Sequence, residues 1–210
     1  VEVHTTNYTR WYSEYRNSLF ETIKFASVNG YLRPGVIPKI GDTFGLSIIS
    51  RIHSSPSLAN HLGDKASFPV YFHNAPQYWI RSMSYIPYFW NEREGEKAST
   101  QMKSINLQTE SDFSVVVALL NSSIFYWWFI ISSDCRHLNL REIANFPIDL
   151  DSISGAQKHQ LGVLAQELMD DYKENSRRKK AYYKTTGQVA YDEFYPRLSK
   201  PIIDEIDRVL

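Results

Sequence analysis

Only one cysteine, Cys135, occurs in the 210 residues, so the chain can form no internal disulfide and takes no stability from cross-links. That scarcity fits a reducing, cytoplasmic setting. Neither sign of charge is in excess, since 23 Lys and Arg balance 23 Asp and Glu. Phosphate binding normally leaves a basic surplus on the surface, so a polyanion partner would have to meet a local patch. An uninterrupted membrane-length apolar run is also missing: 113–131 comes close, but Asn121, Ser122 and Ser123 break it, and Asp112 and Asp134 bracket it. The expectation is a broken core helix or buried helical hairpin, with no membrane partner. The first ten residues are too polar for a signal peptide, and Val1 in place of Met suggests a fragment. There is no internal repeat and no low-complexity tract.

The signatures of chemistry are missing too. No glycine-rich phosphate or cofactor loop occurs, and no Gly-x-Ser-x-Gly elbow presents a nucleophile. Six histidines (His4, His53, His61, His73, His137, His159) lie without metal-ligand spacing, and a single cysteine excludes thiolate zinc sites. Glu92, Glu94, Glu96 and Lys97 read as a solvated charge run rather than as metal ligands. Asp134 and His137 share a polar turn but have no nucleophile beside them, which leaves a hydrolase as a distant third reading. The expectation is a chain with no catalytic residue, no metal and no cofactor of its own.

What is present is a foldable, aromatic-rich chain with 43% hydrophobic residues, enough to bury a core. Residues 8–31 predict a helix and a turn. Asp42 or Thr43 caps a helix carrying Phe44, Ile48, Ile49 and Ile52 on one face and ending near Ser54. Residues 68–72 and 78–85 read as two β-rich runs joined by a loop longer than two residues, and 91–98 as an exposed loop before a strand at 102–107. Ser111 or Asp112 should cap the broken apolar helix, and a short helix over 140–145 follows. Leu161, Leu164, Ala165, Leu168 and Tyr172 mark a long helix from Gln157 that runs into the cations at 177–180. Another amphipathic helix follows Pro201.

Binding chemistry therefore carries the reading. Arg136, His137, Asn139 and Arg141 lie on a turn and offer the side chains that pair with guanine, phosphate and adenine edges. They could equally anchor the turn through backbone bonds. Asn74, Gln77, Tyr78 and Arg81 form a second cluster on the expected hairpin, a shape that a major groove admits. Arg93, Lys97 and Lys103 could meet phosphates or be ordinary solvated charges. Arg177 and Arg178 could do the same, or could complement a helix dipole.

Three stretches together carry a family resemblance: VVVALLNSSIFYWWFIISSDCRHLNLREIANFPI, the helical segment 157–180, and YDEFYPRLSKPIIDEIDRVL. They are similar to the C-terminal, TaqI-like specificity domain of Type IIG restriction-modification adenine-specific DNA methyltransferases, and residues 8–52 resemble the stretch after the catalytic domain. The resemblance implies a parent enzyme that uses S-adenosylmethionine, whose methyltransferase domain is this chain's partner together with double-stranded DNA. It also implies an α/β (α+β) fold, a small mostly antiparallel sheet packed on helices with a long C-terminal helix, as in Type I specificity subunits. Residues 1–150 would be the DNA target-recognition domain, and 151–210 a spacer or docking helix with a helical tail. The alternative is a protein-protein interaction module that docks another subunit through the long helix.

Overall fold

The computed structural model describes residues 1–63, 68–76 and 78–210. The fold is α+β, with helices, small antiparallel sheets and a long helix towards the C-terminus. In chain order the described elements begin with β1 (His4–Thr5), α1 (Leu19–Thr22), β2 (Ala26–Ser27), α2 (Thr43–Ile52), β3 (Phe68–His73), β4 (Ser82–Met83), β5 (Phe89–Asn91) and β6 (Gly95–Glu96). They continue with β7 (Met102–Leu107), α3 (Glu110–Asn121), α4 (Ser123–Ser132), α5 (Leu140–Ala144), α6 (Gly155–Asn175), β8 (Arg177–Tyr183), β9 (Gly187–Glu193) and α7 (Lys200–Val209). None of these helices is long and apolar enough to cross a membrane. Two compact units are built from this string: Val1–Asn60 with Trp127–Leu150, and His61–Tyr126 with Asp151–Leu210. The segment 151–210 thus shares its unit with 61–126.

In the first unit, β1 and β2 pair over two residues, and the Thr5 hydroxyl donates to the Pro38 carbonyl at 2.8 Å. Helix α2 starts as its cap residue dictates, because the Asp42 carboxylate accepts the Gly45 N–H at 2.7 Å. Ile49 is buried, but Phe44 is 74% exposed and so lies off the inward face. The helix expected over 8–31 is reduced to a 3-10 segment (Ser13–Ser18) and the four residues of α1, none of them buried. Aromatics at mixed spacing make no single stripe, so no face drives a longer helix inward. Trp128 is buried, stands edge-on to Phe146 at 5.9 Å, and donates its indole N–H to the Glu142 carbonyl at 2.8 Å.

The second unit holds a three-stranded sheet, ordered β4-β3-β7, and a four-stranded one, ordered β6-β5-β9-β8. Strand β3 pairs with β7 over six residues, but of the expected run at 78–85 only Ser82 and Met83 join it. Helix α3 is capped by Thr109, whose hydroxyl accepts the Asp112 N–H, rather than by Ser111 or Asp112. Asp112 is instead buried and paired with Lys158 at 3.0 Å. The apolar run breaks where the polar residues stand. Ser122 is extended, and its hydroxyl donates to Leu119 O at 2.6 Å and accepts the Phe125 N–H at 3.2 Å, closing α3 and opening α4.

Fully buried Asn121 ties this unit together. Its amide donates to Ser82 O, Ser82 Oγ and Val117 O, and its Oδ1 accepts the Tyr172 hydroxyl at 2.9 Å and the Ser82 N–H at 3.3 Å. Burial raises the Tyr172 pKa and keeps it a neutral donor. Helix α6 opens on the Ser154–Gln157 capping box and buries Leu161, Ala165, Leu168, Met169 and Tyr172. It ends at Asn175, so the cations after it are not on the helix. Two strands and a turn stand between it and α7, the expected C-terminal helix.

Candidate nucleic-acid interface

Strand β8 is the outer edge of the four-stranded sheet and reads RRKKAYY. It pairs with β9 through seven residues, from Arg177 opposite Glu193 to Tyr183 opposite Gly187. The result is a ribbon whose turn, Lys184–Thr186, precedes Gly187 at φ 73°, a backbone state that glycine adopts without strain. Every β8 residue except Ala181 is exposed, with Tyr182 at 72% and Tyr183 at 52%. Lysines on an edge strand also blunt sheet-to-sheet pairing. Five cations against two acids over 177–193, beside two exposed tyrosines, exceed that need.

The cations are not equivalent. Arg178 bonds Asp192 at 2.7 Å and lies 3.5 Å from the Tyr88 ring centre, while Lys179 pairs with Glu193 at 3.3 Å. Lys180 and Lys184 make no ion pair among the described residues. A clasp fixes the turn: the Glu92 carboxylate accepts the Gln188 N–H at 2.9 Å, and the Glu92 N–H donates to Gln188 O at 2.9 Å.

Beside the ribbon's first residue is a cleft of about 780 Å³, lined in part by Tyr78, Trp79, Arg81, Arg177, Tyr195 and Arg197. Its one carboxylate, Glu193, is held below the usual range by the Tyr195 hydroxyl and by Lys179. Arg81 is mostly buried, with its guanidinium 6.0 Å from the Phe194 ring centre and no ion pair among the described residues. Burial lowers its pKa, against the opposing pull of Tyr172 and Glu193. Comparisons with protein families, curated proteins and solved structures found no match.

The residues singled out from sequence fall into three groups. On the second unit, Tyr78 is 87% exposed, and Arg93 and Lys103 are exposed. Arg177 faces the cleft 5.3 Å from the Tyr195 ring, and Arg178 lies on the ribbon. A second group on the same unit is less exposed. Lys97 pairs with Glu94 at 2.9 Å, Arg81 directly precedes β4 and lies in the cleft wall, and Asn74 is half-buried with its Oδ1 unpartnered among the described residues. Residues 91–98 hold the exposed turn and the second strand of the β5–β6 hairpin (89–96), and that turn is closed by the buried Asn91 side chain accepting the N–H groups of Arg93 and Glu94. Gln77 lies outside the described residues.

The third group, on the first unit, is largely committed to its own turn. Asp134 Oδ1 accepts the N–H of Arg136 and of His137, both at 2.8 Å, and these bonds hold its carboxyl below the usual range. Asp134 Oδ2 is 3.4 Å from His137 Nδ1. Asn139 donates its N–H to the buried Glu142 carboxylate at 2.8 Å, and Arg141 bonds that same carboxylate at 2.5 and 2.9 Å. Arg136 and His137 keep exposed side chains. Sequence reasoning reached Lys180 only as part of the basic run 177–180 placed at a helix end, and did not reach Tyr182, Tyr183 or Lys184. The signal for them was the Thr-Thr-Gly turn between two tyrosine-bearing runs.

Proposed function

We propose that this chain is a DNA target-recognition domain of a bacterial restriction-modification adenine-specific methyltransferase, binding duplex DNA while the parent's methyltransferase domain, with S-adenosylmethionine, does the chemistry. The observation that carries the reading is the β8–β9 ribbon. A two-stranded ribbon fits a major groove, its unpaired Lys180 and Lys184 suit phosphates, and its exposed tyrosines suit sugar and base edges. Local clustering also answers the neutral total charge.

The test is an electrophoretic shift with a random duplex across a salt series. The double variant Lys180→Ala/Lys184→Ala should flatten the slope of log affinity against log salt by about 0.9 for each phosphate no longer neutralised. An unchanged slope, or no wild-type shift at low salt, overturns the proposal.

A second reading is docking to another protein; Leu161, Ala165, Leu168, Met169 and Tyr172 of the long helix are buried inside the unit, which leaves Val163 as its large exposed aliphatic residue. Tyr12, Tyr15, Phe20, Phe25 and Phe44, all 61–79% exposed, fall in one stretch of the first unit. Replacing Phe20 and Phe44 with Ser should leave duplex affinity intact if DNA contact belongs to the ribbon. A matching loss of DNA affinity would move the interface.

A further inference from the structure

The cleft lined by Tyr78, Trp79, Arg81, Arg177, Tyr195 and Arg197 has a composition that the ribbon does not explain. Arg81, Arg177 and Arg197 make no ion pair among the described residues, and Glu193 is engaged by Lys179 and Tyr195. Keeping a guanidinium mostly buried with no carboxylate partner is unfavourable, and an anion entering from solvent would relieve it. The rest of the wall is aromatic in part, beside Pro196, Leu198, Lys200 and Ile203: Tyr78 is 87% exposed, Trp79 stacks on Tyr126 at 4.6 Å, and the buried Trp79 indole N–H has no acceptor among the described residues. Aromatic faces of this kind take flat heterocycles, and arginines take phosphate.

We infer that this cleft binds a nucleoside monophosphate unit, with the phosphate against Arg177 and Arg197 near Arg81 and the base against the aromatic wall. The unit can come from a free nucleotide or from an unstacked position in a single strand, and the chemistry is the same. The inference does not need duplex binding by the ribbon.

Isothermal titration of the whole chain with thymidine monophosphate, deoxyadenosine monophosphate, a short oligothymidylate and inorganic phosphate tests it. A mononucleotide or the oligonucleotide should bind with a stoichiometry of one per cleft and more tightly than inorganic phosphate. Arg197 is exposed, so Arg197→Ala should fold normally, as circular dichroism will check, and should weaken nucleotide binding about tenfold, the worth of one charge-assisted contact. Lys180→Ala/Lys184→Ala should leave it unchanged, which separates this result from the fate of the ribbon. Binding by the oligonucleotide alone identifies a strand as the source. Heat from none of the nucleotides, equal affinity for inorganic phosphate, or indifference to Arg197→Ala overturns the inference.

Discussion

Asn121 and Arg81 show how differently two buried polar side chains can stand in one unit. Asn121 has every donor and acceptor of its amide matched, so removing it takes a partner from the Ser82 backbone and from the Tyr172 hydroxyl in a dry interior. Asn121→Leu should lower stability by about 3 kcal/mol in urea unfolding, because each orphaned buried group costs on the order of 1–3 kcal/mol. Arg81 lacks such matching. Arg81→Met keeps the apolar stem and removes the desolvated charge, so the melting temperature should hold or rise; a fall of several degrees would mean the guanidinium is structural. Asp42 adds a pH signature. Bonds from Gly45 and Asn7 hold its folded pKa below the ordinary value, so its contribution is complete above the unfolded pKa near 3.8 and is lost as pH falls through the lower folded value. The Asp42→Ala loss of about 1 kcal/mol should therefore be seen at pH 7 and shrink in acid. Of these residues the sequence exposed only Asp42, a local cap. Asn121 was readable as a break in an apolar run, but its partners Ser82 and Tyr172 lie 39 and 51 residues away and leave no local trace.

Elements with a local cause were legible. The cap of α2, the strand at 102–107, the break at Ser122 and the start of α7 each follow from a few adjacent residues. Strand β8 was not, because four cations after a long helix match the charge pattern of a helix C-terminus as well as that of an edge strand. The hairpin at 89–96 was missed for a different reason: two-residue β6 is too short to show alternation. Gly187 gives the ribbon its test. An added Cβ there would strike the Glu92 carboxylate and require a positive φ, so Gly187→Ala should cost on the order of 1–2 kcal/mol. An Ala variant as stable as wild type would mean the turn is not held as described.

At the scale of the whole molecule, the chain passes between its two units three times, near 60, 126 and 150. A boundary at 150, natural from the sequence, would strip β5 of its ladder partner β9 and α3 of the helix packed on it. A fragment of residues 1–150 should therefore lack a cooperative thermal transition from the second unit, as followed by circular dichroism. Candidate contacts named from sequence are divided in the same way. Arg136, His137, Asn139 and Arg141 belong to one unit, and the ribbon and cleft to the other, a partition that only long-range pairing determines.

The Glu92 clasp reaches beyond the turn that it closes. A ribbon tip already fastened to a neighbouring hairpin arrives like a die cut before stamping, with little left to organise when it meets its target. If the ribbon enters duplex DNA as proposed, sequences that ask the tip to bend should be rejected, not accommodated, and cutting the fastening with Glu92→Ala should broaden the range of duplexes tolerated while slackening the hold on each.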